Sequence, residues 1–523
     1  MLGKQNQQTS FLDIESWLSS PLVNPDSIYG LMGSWGNRLI QDSDFAELYS
    51  ETGRPSVSPA LLSKVLLLMY NDNVSDREAE ERAKYDLRWK VALRLPMNNS
   101  GFDYTALCRF RARLLVNKKE KLVFQRFVSL AKEVGIIKEN GLQIVDSTHV
   151  LGAGAVKDTF NLIKGSIQKL LSISHKSNGK AKEILAKTIL SLDYTQKGKE
   201  EIDWNNPEAR EELLNKLVKD SLTVLDALKE VELNQQEQTA KELLTVVTAQ
   251  DIEEKEDGKV VLKQGVAKDR VISVEDPEMR HGHKTSKGIF NGHKAQVLMD
   301  ENSEVITNVA VSPGNEADGD SLANLLEDCT VKPGTLMGDT AYGTLKARDT
   351  MVGNEVTPLA PLPMGGKKQN KYSKYDFTID FEKQSCQCPA GQITSKTRIK
   401  DGQIIAYCIS AKICNHCTLR DHCTKHGQGR TVPLHEEEQR RREIIAENST
   451  AEFHQIYRKR AKIERKNAHL KQHGLRKSRY TGRVKTLLQL AFTSAVVNIK
   501  RIFKLARGKV CLFRKLQGVL EGS

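Results

Sequence analysis

Apolar positions recur at helical spacing through most of residues 10–135, and this stretch is predicted to be helical. Ser58 followed by Pro59 is an N-cap with proline in the first helical position. It opens an apolar helix over residues 60–70. Ser75 and Glu78 form a capping box that starts a charged helix running through Trp89 to Leu93. Asp103 caps a third helix carrying Arg109, Arg111 and Arg113. Three short helices with arginines on the last suit a helix-turn-helix DNA reader or, equally, a small bundle with a solvated basic face.

The pattern then changes. Residues 142–145 are mainly apolar and lead directly into Asp146, which reads as a buried strand ending at a polar site. A Lys/Glu-rich tract, 157–262, follows, with Leu214, Val218, Leu222, Leu225 and Leu228 at helical spacing. It reads as an inserted helical hairpin or coiled-coil-like arm, serving a dimer or DNA or simply packing on its own core. Strand patterns resume at 293–299 and 305–311, joined by the polar turn 300–303. Residues 321–326 look helical, and 335–339 is a second strand-to-aspartate transition, ending at Asp339. Residues 355–440 are rich in Cys, Gly and Lys without helical period, so they read as β-rich; helix returns over 436–505. With both insertions set aside, the chain is α/β with a mixed sheet. The expected segments are an N-terminal helical, DNA-binding domain 1–135, core 136–156, helical insertion 157–262, core 263–355, β-rich zinc-binding insertion 356–440 and catalytic helix with basic C-terminal region 441–523.

Charge localises the partner. The 523 residues carry a net +13, but residues 451–523 hold 19 Lys plus Arg against 3 Glu, a net +16, and the rest sums to −3. A basic block on a near-neutral body points to a polyanion, with nucleic acid ahead of an acidic membrane surface. The longest apolar run, 65–69, is far short of a membrane span, and the first residues lack a signal-peptide core. Nine clustered cysteines suit a reducing, cytoplasmic, DNA-associated setting better than a disulfide scaffold.

The strand-end aspartates gain meaning from a third carboxylate. Arg460 and Glu464 are one helical turn apart on one face; Tyr457 lies one turn before and Lys471 two turns after. A carboxylate among cations can hold a metal while its neighbours hold phosphates; the plainer alternative is a surface helix stabilised by i,i+4 pairs. Hard Mg²⁺ ions take two or three carboxylates and keep water and phosphate in their shell. A second group is Cys388, Cys414, Cys417 and Cys423, with His416, His422 and His426 as substitutes; four thiolates close a tetrahedral Zn²⁺ site, or remain free buried thiols. Cys108, Cys329 and Cys511 read as packing residues.

The spacing Tyr457-x2-Arg460-x3-Glu464-x6-Lys471 resembles the Tyr-Arg-Glu-Lys signature of IS-four-like, DDE-type insertion-sequence transposases. Asp146 in IVDST and Asp339 in GDTAYG resemble that family's first two catalytic aspartates. DPEMRHGHK (276–284), FNGHKAQ and Asn315 with Asp318 in GNEADGD resemble its members with an N-terminal helical domain, as does 58–115. The resemblance implies a ribonuclease-H-like core and two Mg²⁺ ions, or Mn²⁺, on Asp146, Asp339 and Glu464. It implies cleavage at transposon ends and strand transfer into target DNA, with double-stranded inverted-repeat ends as partner, a homodimer on DNA and no membrane. Tyr457, Arg460, Lys471, Arg280, His281, Lys284, Arg476, Lys477 and Arg479 are the expected DNA contacts. The rival expectations are a nuclease that never joins strands and a non-catalytic, zinc-stabilised regulator.

Overall fold

A computed structural model describes residues 1–5, 22–196, 198–255, 259–284, 288–364 and 371–522. The expected helical stretch at 10–21 therefore lies outside the described residues. Helices α1 (Ile28–Leu39), α2 (Pro59–Asp72), α3 (Asp76–Tyr85), α4 (Leu87–Leu93), α5 (Tyr104–Val116) and α6 (Leu122–Glu133) precede the first strand. Their starts follow the predicted caps: the side chains of Ser58, Ser75 and Asp103 accept from Leu61, Glu78 and Thr105 N–H. One expectation fails here. The charged helix does not run unbroken to Leu93, because Asp86 leaves helical geometry and caps α4 through Arg88 N–H.

Strand β1 (Leu142–Leu151) enters the main sheet. Between it and the next core strand lie α7 (Thr159–Lys176), α8 (Lys180–Lys187), α9 (Pro207–Ala227), α10 (Gln235–Gln250) and the small hairpin β2 (Ile252–Glu254) and β3 (Val260–Leu262). These helices bury their own apolar cluster, with Leu214, Val218 and Leu228 inside it. Leu222 is exposed, so the predicted stripe loses that position.

The chain returns through β4 (Arg280–His283), β5 (Ile289–Asp300), β6 (Ile306–Pro313), α11 (Leu322–Glu327), β7 (Thr335–Met337), α12 (Leu345–Gly353) and β8 (Thr357–Leu359). The sheet order is β4-β5-β1-β7-β8, with β6 also paired to β5. β5 runs antiparallel to β1, β4 and β6, whereas β1, β7 and β8 are parallel. The mixed α/β sheet with helices before it agrees with the pattern in the sequence.

The β-rich segment holds β9 (Thr378–Asp380), β10 (Ser385–Gln387), β11 (Ile393–Thr394), β12 (Thr397–Lys400), β13 (Gln403–Ile409) and β14 (Arg430–Pro433), in two three-stranded sheets. Short helices α13 (Ala411–Asn415) and α14 (Arg420–Cys423) interrupt it. Then come α15 (Glu438–Asn448), α16 (Ala451–Tyr457), α17 (Ala461–Leu470), α18 (Arg483–Arg507) and α19 (Val510–Glu521). The helical stretch expected over 436–505 is divided at Ser449–Thr450 and again at Gly474, whose φ of +87° suits glycine, and whose absent Cβ would meet Asn73 Oδ1 at 2.4 Å.

α18 is the axis of the largest core. One buried cluster joins it to α1–α6 and to Val150, Val297 and Ile306 of the sheet. Tyr70 of α2 stacks on Phe492 of α18, ring centroids 5.9 Å apart. The helices before β1 thus share their interior with the end of the chain. Among the described residues, no helix is long and apolar enough to cross a membrane.

Candidate active-site cleft and cysteine cavity

The parallel pairing of β1 and β7 sets Ile144 opposite Met337. Two residues further on each segment stand Asp146 and Asp339, so the register alone brings these aspartates level on one face. Asp146 is not at a strand end, as the pattern suggested. β1 continues to Leu151, and Asp146 is paired across to Val297 of β5. It is β7 that stops, opening space beside Asp146 and putting Asp339 in the following loop. Gly338 permits that turn: a Cβ there would lie 2.6 Å from Cβ of Tyr342. Tyr342 is fully buried and donates its hydroxyl to Gln296 Oε1 at 2.6 Å.

Helix α17 sits on this sheet through Ile463, which is buried with Ile144, Met299 and Met337. The next residue, Glu464, reaches the same opening. Asp146, Asp339 and Glu464, from three distant segments, thus border one polar cleft of about 480 Å³. Asp318 also lines it, and its rim carries Arg460, Lys471 and Lys284.

The cleft is electrostatically tense. Burial pushes the Asp146 carboxyl up to about 6; the Arg460 guanidinium pulls it down, while Asp339 and Asp318 push it further up. Asn467 Nδ2 donates to Asp146 Oδ2 at 2.9 Å. Arg460 Nη2 donates to Glu464 Oε1 at 2.9 Å, and its Nη1 lies 3.8 Å from Asp146 Oδ1. The guanidinium thus stands between two carboxylates. Glu464 is 62% exposed. Burial pulls the Lys471 ammonium below its usual value, with Lys284 and Arg476 adding to the effect. Lys294 and Ser147 both donate to Asp318, at 2.9 and 2.8 Å.

The other expected DNA contacts are dispersed. Arg280 donates to the carbonyls of Pro277 and Met279, and His281 pairs with Asn291 Oδ1. Arg479 is engaged by the Val74 carbonyl and Asn73, and lies over the Tyr70 ring. Arg476 and Lys477 are exposed on a loop that pairs with Leu151 at the end of β1. Tyr457 does not line the cleft; its ring stacks on Phe453 at 5.3 Å. On α5 the helix-turn-helix idea loses two arginines. Arg111 is buried against Asp76, and Arg113 binds the Leu48 carbonyl over the Tyr49 ring. Arg109 remains exposed.

Sequence reasoning missed Asn467, Lys294, His149 and His283 as cleft residues. Asn467 had a signal, three residues after Glu464 and so on a neighbouring face position. Asp318 was noticed only as part of a motif. His283 and Lys294 likewise stood inside the motifs DPEMRHGHK and FNGHKAQ without being given a role, and only His149 had no signal beyond its strand.

The second feature is a small cavity of about 30 Å³, bordered by Cys388, Cys414, Cys417 and Cys423 together. Its walls are otherwise mainly apolar, and none of His416, His422 and His426 borders it. Burial pushes the Cys414 and Cys423 thiols up, and the neighbouring cysteines add to this. Cys386 lies instead in the apolar core beside Phe377 and Tyr407. Cys108 and Cys511 are exposed, not packing residues as expected. Among the described residues, no three or more His, Cys, Asp or Glu side chains are gathered tightly enough to hold a metal ion.

Two family models match the chain. Residues 387–503 match one described as a Transposase DDE domain, and residues 22–113 match a Transposase domain (DUF772). The first spans the cysteine cavity and Glu464; neither reaches Asp146 or Asp339. No curated protein and no solved structure matches the chain.

Proposed function

We propose that this chain, a DDE-type insertion-sequence transposase by its two family matches, cleaves DNA at transposon ends and joins them to target DNA at the cleft of Asp146, Asp339 and Glu464. The carrying observation is that three carboxylates, 125 or more residues apart, border one polar cleft beside a basic rim. The strand order, with β5 antiparallel beside a central β1 and β7 and β8 parallel, supports a ribonuclease-H-like core.

The donors fit Mg²⁺ or Mn²⁺: hard oxygens, in a cleft wide enough to keep water and phosphate. Asp146, Asp339 and Glu464 are the residues that would hold such ions. Such ions, when bound, activate the attacking water and neutralise the leaving oxygen. The chain's own groups do the rest. Asn467 orients Asp146 through its amide. Arg460, which stands between Asp146 and Glu464 at the edge of the cleft, would be the guanidinium available to a phosphate there. Lys471 and Lys284 hold flanking phosphates. The 3′-hydroxyl left by cleavage attacks a target phosphodiester in the same cleft, and its oxygen joins the phosphorus as the target strand's own 3′-oxygen leaves. Synapsis of two ends favours a homodimer.

The cysteine cavity supports a structural Zn²⁺ on Cys388, Cys414, Cys417 and Cys423. What supports it is the donor chemistry, four thiols bordering one mainly apolar cavity, although they would have to draw closer to close a tetrahedral site.

The test is strand transfer. A labelled duplex carrying the repeat that flanks the gene is incubated with the protein, Mg²⁺ and a supercoiled plasmid. Joined product supports the proposal; nicking without joining leaves a nuclease, and binding without nicking leaves a regulator.

A further inference from the structure

We propose that Glu301, in the turn between β5 and β6, is a positioning residue that ties the strand of Asp146 to the helix of Glu464. The proposal rests on the carboxylate reading above. The turn is firmly built. Ser303 donates to Asp300 Oδ2 through both N–H and Oγ, each at 2.7 Å. Glu301 N–H donates to the Leu142 carbonyl at 3.1 Å, four residues before Asp146 on β1. Its side chain, 3% exposed, reaches the other way. It accepts Lys462 Nζ at 2.5 Å and Lys459 Nζ at 3.2 Å. Lys462 also donates to the Glu301 carbonyl at 3.0 Å. One residue thus holds β1 by its backbone and the catalytic helix by its carboxylate.

Glu304 extends the grip. It faces Arg465 at 3.7 Å, Lys466 at 3.9 Å and Arg501 of α18 at 3.5 Å. The basic segment therefore has two polar faces. Lys459, Lys462 and Lys466 turn toward the acidic turn, while Arg460, Glu464, Asn467 and Lys471 look into the cleft. Part of the charge of this basic run is thus spent on the protein's own carboxylates.

This grip adds a polar hold to the packing of Ile463 and the Asn467–Asp146 hydrogen bond, which seat the helix of Glu464 on the sheet. The Glu464 carboxylate is mostly exposed, and among the described residues its one ion-pair partner in the cleft is Arg460. Its position is inherited from the helix. A shift of about 1 Å in a catalytic group costs on the order of 100-fold in rate. A buried carboxylate whose partners are removed is itself costly, so the contact is defined from both sides.

The experiment measures nicking of an end duplex against Mg²⁺ concentration, with metal-free gel shifts and thermal unfolding of each protein. The variants are Glu301→Gln, Lys459→Met with Lys462→Met, and all three together. Glu301→Gln is expected to lower kcat by about 100-fold with KM for the duplex unmoved. The Mg²⁺ needed for half-maximal rate should rise by about 10-fold. Metal-free duplex binding should stay at wild type, and the triple variant should be no worse than Glu301→Gln. A folded Glu301→Gln protein with wild-type rate and Mg²⁺ dependence overturns the proposal. So does a rate that falls only in step with folded protein while Mg²⁺ dependence stays put. A wild-type chain that binds the duplex and never nicks it sinks the carboxylate reading and this proposal together.

Discussion

The acidic cleft and the cysteine cavity are opposite solutions to gathering ligands. The cleft takes its carboxylates from β1, from the loop after β7 and from α17, and opens about 480 Å³ of polar space. The cavity takes four thiols from residues 388–423, and encloses about 30 Å³ behind a mainly apolar wall. An open shell of hard donors leaves room for water and a phosphate to exchange. A closed shell of soft donors leaves room for nothing but its ion. The difference teaches that reach along the chain and openness go together here: the carboxylates gathered from distant segments border the wide polar cleft, and the thiols gathered from one short stretch border the small apolar cavity.

The sharpest way to break this contrast is to remove one carboxylate. Glu464→Gln keeps the helix but loses the charge that would hold a cation. Nicking of an end duplex in Mg²⁺ should fall by orders of magnitude, while the metal-free gel shift survives. Nicking at wild-type rate would put the reactive cleft elsewhere.

The closed site is tested by composition. Wild-type protein purified without chelator should carry one zinc per chain by elemental analysis. Cys414→Ser with Cys417→Ser should carry none, and residues 371–440 should become the first region cut in limited proteolysis. Unchanged zinc content would remove the cavity from the comparison.

A third test asks what the cleft costs when no cation is present. The Asp146 carboxyl sits near 6 in the fold against 3.8 when exposed. Its folded pKa is raised, so the folded state binds the extra proton between these values, and stability falls as pH rises through that window. Above pH 6 the deficit is constant, roughly 3 kcal/mol. Asp146→Asn cannot ionise and escapes it. In a chelating buffer the variant should unfold at higher temperature than wild type, by a margin that grows from pH 4 to 6 and then levels. A margin independent of pH would show that burial of the charge is not the cause.

The smallest effect concerns the loop beside β1. Arg476→Ala with Lys477→Ala should flatten the slope of log affinity against log salt by about 2, with nicking at saturating duplex unchanged. Arg479→Ala should not flatten it, since that guanidinium is engaged by Asn73 and Val74. It should instead loosen the joint between α2 and the loop before α18, visible as a lower unfolding temperature.

Much of this was legible in the residues. Local rules fixed the caps at Ser58, Ser75 and Asp103, because a side-chain oxygen and an N–H two or three residues away need no distant partner. Alternation marked β5 and β6 and their polar turn. Helical spacing put Arg460 and Glu464 on one face, and they are paired at 2.9 Å. The cysteine spacings grouped Cys414 and Cys417, three positions apart, which do border one cavity, but they gave no hint that Cys386 and Cys388 would part, the first to the apolar core and the second to the cavity.

What only the tertiary structure decided is where charge goes. Nothing local distinguishes an arginine bound for DNA from Arg111, buried on Asp76, or Arg479, turned onto α2. Nothing local says that Lys459 and Lys462 belong to Glu301, which lies more than 150 residues away. Nor could the pattern see that Asp146 sits within its strand, because its opening is made by the end of β7, its neighbour in space. Periodicity and capping are properties of neighbouring residues, so the sequence carries them openly. Ion pairing and strand register are properties of surfaces brought together by burial, and they exist only once α18 and the sheet have closed the core.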